Sequence, residues 1–315
     1  MKVAALAGGI GAGKFLRGLA RAVDPDDVTV IVNTGDDVRM HGLHVSPDLD
    51  SVTYWLGDVF DRERGWGRRD ETFRATEELR AFGAPDAWFN LGDLDLATHL
   101  YRTSQLARGA ALSDVTRLVA ERFGVRTRIV PMTDDPVETR IDAVDPAGGP
   151  LDLHFQQYWV ERGARDQVKG VRFEGSAHAH PAPGVLDGIA GADAVVLCPS
   201  NPVVSIGPIL AVPGVREAVA ARKKESVVGI SPIVAGAPLA GMADRLMPAV
   251  GLEVTAAGAA AAYEDLLGGW VIDERDRALA ARVEATGVHV AVTDTVMTDD
   301  AVAEALAVTA LGLVA

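Results

Sequence analysis

The first residues able to do chemistry lie in Gly8-Gly9-Ile10-Gly11-Ala12-Gly13-Lys14-Phe15, directly after a short apolar run. From Gly8 to Lys14 the spacing is G-x-x-x-x-G-K, that of a phosphate loop. Glycines there let backbone amides approach a phosphate, and the following helix offers its positive end. Gly8, Gly9, Gly11, Gly13 and Lys14 are therefore candidate nucleotide-binding residues. The next position of an ATPase loop carries a Ser or Thr hydroxyl for magnesium; here it is Phe15, which weakens an ATPase reading. A dinucleotide fingerprint also fits poorly, because its third glycine position is Lys14, although Asp36 lies where a ribose-binding acid would sit.

Asp36, Asp37, Asp48 and Asp50 fall within fifteen residues of one another in NTGDDVRMHGLHVSPDLD. Asp36 and Asp37 follow an apolar β-branched run, at the carboxyl end of a strand, where open α/β sheets bind ligands. Carboxylates grouped there repel one another unless a proton or cation intervenes. Oxygen ligands suit magnesium, so this cluster is a candidate replacement for the missing hydroxyl. The competing explanation is ordinary turn and helix-cap chemistry. It holds well for a single Asp and less well for four beside a glycine loop. Further along, WFNLGDLDLATHLYRT brings Asp93, Asp95, His99 and Arg102 together, but acids at a helix start are also expected from the helix dipole. Ser200 and Asn201 in CPSNPVVSIGPIL, and Ser231 in GISPIVAG, sit in proline-stiffened loops after strands and would form walls of a nucleotide pocket. His178 and His180 lack a nearby third ligand and read as a solvated loop.

These groups need a scaffold. KVAALAG is a buried strand, KFLRGLARAV has helical spacing and DVTVIVNTG is a second strand, which together make a βαβ unit with a right-handed crossover. Three helical patterns follow at ETFRATEELRAFG, DLATHLYRTSQLARG and SDVTRLVAERFG, the last with Ser113 or Asp114 as N-cap. Then come β runs at VRTRIVPM, VETRIDAV and LDLHFQQYWV, with DPAGGP as a turn. From Asp193 the alternation of strand and helix resumes, and AVAEALAVTALGLVA reads as a packed terminal helix. The fold expected is α/β: a Rossmann-like three-layer core with a mostly parallel sheet. It would form one domain over 1–315, with a helical insertion at about 58–123 and a small β excursion at about 124–185.

Composition narrows the partners. The 315 residues carry 44 Asp and Glu against 30 Lys and Arg, a net charge of -14, so a nucleic-acid backbone is a poor partner. A small anionic ligand is still compatible, since loops and a bound cation reverse the field locally. The single cysteine, Cys198, allows no internal disulfide and fits a reducing cytoplasm. No segment reads as a signal peptide or membrane span.

The ordered motifs AGGIGAGKFLRGL, NTGDDVRMHGLHVSPDLD, RGWGRRDET, WFNLGDLDLATHL, PMTDDPVETR, HFQQYWV, PSNPVVSIGPILAVPGVREA, GISPIVAGAPLAGMADRLM and VTDTVMTDD run along nearly the whole chain. With them the chain resembles the CofD/FbiA family, the 2-phospho-L-lactate or phosphoenolpyruvate transferases of coenzyme F-420 biosynthesis; RGWGRRDET is most like the bacterial branch. The resemblance implies two substrates: Fo (7,8-didemethyl-8-hydroxy-5-deazariboflavin) and a guanosine diphosphate ester of lactate or enolpyruvate. It implies that the ribityl hydroxyl of Fo displaces GMP. The glycine loop with Lys14, Ser200, Asn201 and Ser231 would hold the guanylate, and Asp36 and Asp37 would hold Mg2+. Asp48, Asp50, Asp93 and Leu94 would face Fo. Asp36, Asp48 and Asp50 are the catalytic candidates, with base and ligand not separated, and Trp66 or Trp88 would pack on the deazaflavin ring. A cytoplasmic homodimer is also implied. Two departures stand out. Ala12 and Gly13 exchange the family's usual order, and Leu94 occupies the place of a frequent Arg, for which Arg102 and Arg39 are the neighbouring substitutes. The alternatives are a YvcK-like nucleotide-sugar-binding protein, which shares the glycine loop and an SNP-like loop, and a nicotinamide-dependent oxidoreductase.

Overall fold

The computed structural model describes residues 1–314. β1 (Val3–Ala7) passes through Gly8 and Gly9 into α1 (Ile10–Ala22), and β2 (Val28–Val32) returns parallel to β1. A hairpin of β3 (Val38–Met40) and β4 (Leu43–Val45) precedes α2 (Pro47–Leu56). Then come α3 (Arg74–Ala81), α4 (Asp93–Ala107) and α5 (Leu112–Arg122), before β5 (Arg128–Pro131) pairs with β2. β6 (Glu138–Val144), β7 (Pro150–His154) and β8 (Gln167–Glu174) form a separate antiparallel sheet with β6 in the middle. After α6 (Val185–Gly191), β9 (Ala194–Leu197) rejoins the main sheet on the other side of β1. α7 (Gly207–Ala211), α8 (Val215–Ala220) and β10 (Val227–Ile230) follow, and then the short hairpin β11 (Ile233–Val234) and β12 (Ala237–Pro238). The chain ends with α9 (Ala243–Leu246), α10 (Ala256–Ala261), β13 (Gly269–Asp273), α11 (Ala280–Glu284), β14 (His289–Thr293) and α12 (Asp300–Leu311).

The seven-stranded sheet has the order β14-β13-β10-β9-β1-β2-β5 and is parallel at each pairing. The chain builds outward from β1 to β5, then crosses back and builds outward from β9. The gap beyond the carboxyl ends of β1 and β9 is thus the topological switch point. Both faces of the sheet are covered. Val3, Ala5 and Ala7 of β1 enter one core with Phe15, Leu16 and Leu306, while Ala4 and Leu6 enter the other with Val195, Ile209 and Trp270. This period-2 division is why the inner strands are apolar throughout rather than alternating. The α/β three-layer expectation therefore holds. No helix is long and apolar enough to cross a membrane, among the described residues.

Several local boundaries differ from the sequence-based expectation. α1 begins at Ile10, so Gly11, Gly13 and Lys14 are already helical and only Gly8 and Gly9 form the turn. α5 is capped at Ala111, not at Ser113 or Asp114, because the Ser113 amide and hydroxyl bind the Asp134 carboxylate instead, at 2.7 and 2.8 Å. β5 belongs to the main sheet, so the antiparallel excursion starts only after Pro131. The segment after Asn201 opens as a π-helical turn over Pro202–Ile206 before α7. α12 is the packed terminal helix expected: its backbone at Ala303 lies where a β-carbon on Gly18 of α1 would be.

Phe15, in the place of the ATPase hydroxyl, is fully buried between α1 and the sheet. It is a core residue, and its burial contributes on the order of 2–3 kcal/mol. Phe15→Thr, which restores the ATPase motif, is expected to lower unfolding stability by about 3 kcal/mol or more in a urea titration and to create no ATP hydrolysis. A variant as stable as the parent would show that this helix face is not packed as described.

Candidate functional site

The switch point is closed by a hydrogen bond between its two halves: the Gly8 amide donates to Ser200 Oγ at 3.2 Å. The turn after β1 is tightly overlaid. A β-carbon on Gly9 would collide with the Asp48 carboxylate, one on Gly8 with Ser205, and one on Gly11 with the Pro199 carbonyl at 2.6 Å. These glycines are required by close approach of the protein to itself, with Asp48 against the amino end of α1, where a negative charge is favoured. No side chain caps that helix. Gly13 is turned away from the turn, under the indole of Trp55, so its missing side chain serves helix packing. Lys14 lies 6.0 Å from the Trp55 ring centroid and makes no ion pair among the described residues.

The acids gather at the end of β2 around Asn33. The Asn33 side-chain nitrogen donates toward Asp36 Oδ1 (3.2 Å), Asp48 Oδ2 (2.9 Å) and the Val204 carbonyl (3.2 Å). Asp36 Oδ2 accepts from Gln156 Nε2 at 2.9 Å. Asp37 Oδ2 accepts from Ser46 Oγ at 2.7 Å and lies 2.9 Å from His44 Nε2, while Asp37 Oδ1 is buried with no partner. His154 Nε2 stands 3.1 Å from the Asp37 carbonyl. All three carboxyls are pushed above the usual carboxylate range. For Asp36 the cause is burial, reinforced by the charges of Asp48 and Asp37. For Asp37 it is burial, opposed by His44 and Ser46. Asp48 is raised to about 7 by burial, which outweighs its bond from Asn33.

The cluster thus combines several buried acids, one carboxylate oxygen without a partner and few positive groups, a donor set whose chemistry suits a hard cation. Among the described residues no three His, Cys, Asp or Glu side chains are arranged to enclose an ion by themselves. Mg2+ could be held here by one or two carboxylates, with phosphate oxygens and water in the remaining positions.

Asp50 is placed differently. Both of its oxygens are engaged by the buried Arg102, with Nη1 to Oδ2 at 3.1 Å and the second bond from Nη2 to Oδ1. His99 lies between this pair and Asp95, 3.6 Å from each carboxylate, and Tyr54 donates to Asp95 at 2.6 Å. Asp93 and Leu94 are not gathered at the switch point. Asp93 accepts from Thr72 Oγ1 and from the amides of Arg74 and Ala75, capping α3, while Glu71 accepts from the amides of Leu94 and Asp95 and caps α4. Each helix start is thus held by an acid from the other's approach. Leu94 is 39% exposed, and its carbonyl takes Arg68 Nη1 at 2.9 Å.

Asn201 caps the π-helical turn through the Val203 and Val204 amides, and Ser231 folds its hydroxyl onto the Ile233 backbone at the start of β11. Trp66 packs on Phe73 and Arg64, and Trp88 on Phe89. Sequence reasoning passed over Asn33, Gln156 and His154. Asn33 directly follows β2, and HFQQYWV stood out only as a motif without a role; the tertiary contacts across 120 residues that give it one are invisible in sequence.

The arrangement defines a doubly wound α/β protein with an acid-lined crevice at its switch point. Comparison with known proteins is consistent along the whole length. The family model for 2-phospho-L-lactate transferase CofD matches residues 3–311. The phosphoenolpyruvate transferase of Streptomyces griseus is 49% identical over 314 residues, covering 99% of this chain and 98% of its own. That of Streptomyces coelicolor is 50% identical over 306 residues, covering 96% and 95%. A solved structure of a UPF0052-family protein from Bacillus halodurans superposes with a TM-score of 0.65 at 16% identity, covering 98% of both chains, a likeness of fold. The chain belongs to the CofD family of transferases.

Two expected outcomes follow from this geometry. A carboxyl raised in the fold binds its proton more tightly than in the unfolded chain, so Asp48 favours the ligand-free fold at low pH. That contribution is lost as pH rises from the unperturbed 3.8 through about 7. Melting curves from about pH 4 to about pH 8 should show Asp48→Asn flattening that fall; identical slopes in both proteins would contradict the assignment. Arg102→Leu leaves Asp50 buried and unpaired and should cost about 3–5 kcal/mol in a denaturant titration, whereas a change below about 1 kcal/mol would mean that the pair is solvated.

Proposed function

We propose that this protein transfers a phosphoenolpyruvyl group from enolpyruvyl-2-diphospho-5'-guanosine to the terminal ribityl hydroxyl of Fo, releasing GMP and forming dehydro-F-420-0. The observation that carries this reading is the cluster of proton-raised acids around Asn33, set over a glycine turn at the switch point of a CofD-family chain. The names of the Streptomyces relatives favour enolpyruvate over lactate as the three-carbon acid; the lactyl ester is the second substrate to try.

In this reading the Gly8–Gly9 turn with Lys14, and the loops of Ser200, Asn201 and Ser231, hold the guanylate half of the donor. Phosphoryl-type transfer depends mainly on positioning and charge neutralisation. Asp36 and the bare oxygen of Asp37 would hold Mg2+, which supplies positive charge against the diphosphate. Asp48 lies over the turn with a carboxyl near neutrality, the condition for a general base at physiological pH. The ribityl O–H gives its proton to Asp48 as the new O–P bond forms, and the bond from that phosphorus to the GMP oxygen breaks with its electron pair leaving on GMP. Asp50 is less suited to accept the proton, because Arg102 occupies both of its oxygens. Its part is to hold Arg102 and the amino end of α2 beside the acceptor.

The test is an incubation of pure protein with Fo, the enolpyruvyl ester and Mg2+, followed by mass spectrometry. GMP and dehydro-F-420-0 should appear in equal amounts, turnover should stop on chelation, and Asp36→Asn should lower kcat by about a hundredfold or more. Intact ester and unmodified Fo after prolonged incubation with both donors would overturn the proposal. Turnover unchanged by chelation and by Asp36→Asn would remove the metal role.

A further inference from the structure

Asn33 has a place in the fold that its motif does not explain. It is 1% exposed and follows the last residue of β2, where its backbone amide continues the pairing to the Ala7 carbonyl at 3.0 Å. Its Oδ1 accepts from the Gly35 amide at 2.8 Å, which fixes which end of the side-chain amide faces the acids. Gly35 is held in turn, since a β-carbon there would meet Thr139 Oγ1 at 2.7 Å and Pro208 at 3.0 Å. The Asn33 nitrogen therefore points at Asp36, Asp48 and the Val204 carbonyl from a position it cannot leave.

The Val204 carbonyl needs an outside donor for a local reason. In a continuous α-helix it would take the amide of residue 208, and Pro208 has none. The π-helical turn over Pro202–Ile206 brings this carbonyl to Asn33. One nitrogen with two hydrogens thus serves three acceptors. If one carboxylate oxygen turns toward a ligand, both hydrogens keep a partner and no buried donor is stranded.

We infer that Asn33 is a positioning residue: its side-chain amide holds Asp36 and Asp48 at one point of the crevice and releases a carboxylate oxygen to an arriving cation without leaving itself unsatisfied. This rests on the reading of the acid cluster as a cation site for the proposed transfer. The Asn33 side chain makes no hydrogen bond to the glycine turn or to Lys14, so it reaches the nucleotide only indirectly, through Asp48, and its larger effect falls on the cation.

The experiment uses the full chain, Mn2+ as the metal probe and GDP as the nucleotide probe. Mn2+ binding is followed by electron paramagnetic resonance with and without GDP, and GDP binding is measured by calorimetry in the absence of metal. Asn33→Leu keeps the volume and removes both donors; Asn33→Ser is the second variant should the first not fold. Mn2+ affinity should fall about tenfold or more, in the range set by groups that orient metal ligands, while metal-free GDP affinity stays within about twofold. Three results would overturn the inference: Mn2+ affinity kept in a folded variant, Mn2+ and GDP affinities falling together, or no Mn2+ binding by the parent protein. Failure of the transferase reading is seen separately, as a parent protein that binds Mn2+ but forms no product from Fo and either ester.

Discussion

The structure turns on the crowding of like charges at one buried place. Asp36, Asp37 and Asp48 converge beyond the carboxyl end of β2 with two side-chain amides, a hydroxyl and one imidazole as the nearest partners of their carboxylates. Burial, together with mutual repulsion at Asp36 and Asp48, pushes these carboxyls above their ordinary value. In the proposed reaction, a cation accompanied by a diphosphate would resolve the repulsion and supply the field that a transferring phosphoryl group requires. The glycine turn answers to the same constraint. Gly8 and Gly9 are bare so that Asp48 and Ser205 reach the amino end of α1. The anion-attracting turn and the acids are thereby forced into contact, and a bound phosphate has to share its place with Asp48.

The rest of the molecule keeps this contact rigid. The parallel sheet places the ends of β1, β2 and β9 side by side, and the antiparallel sheet reaches back to deliver Gln156 and His154. α2 is anchored by the buried Asp50–Arg102 pair, which is bordered by His99, Asp95 and Tyr54. A paired charge inside the fold is a weak source of stability but a costly thing to break, so it specifies one arrangement of α2 against α4. The reciprocal capping of α3 by Asp93 and of α4 by Glu71 sets the other end of that layer.

Much of this was legible in the sequence, for definite reasons. Period and composition revealed β1, α1 and β2 as a βαβ unit, and strand-end placement marked Asp36, Asp37 and Ser200 as crevice residues. Spacing did not say what a glycine was bare for: Gly13 in the phosphate-loop pattern accommodates Trp55, and Gly9 accommodates Asp48. Spacing likewise did not reveal that Asp50 and Asp93 have long-range partners, Arg102 and the start of α3. The strand Gly269–Asp273 passed unnoticed because a buried run of five residues after an Ala-rich helix has no alternation to reveal it. Asn33 went unremarked because its importance lies in three acceptors from three segments, which only the fold assembles.

The most direct test of the central claim is anomalous diffraction from crystals grown with Mn2+ and GDP. The account predicts a manganese peak at bonding distance from carboxylate oxygens of Asp36 and Asp37, with the diphosphate between the ion and the Gly8–Gly9 turn. A diphosphate bound at that turn with no ion on these acids, or an ion bound elsewhere, would contradict it.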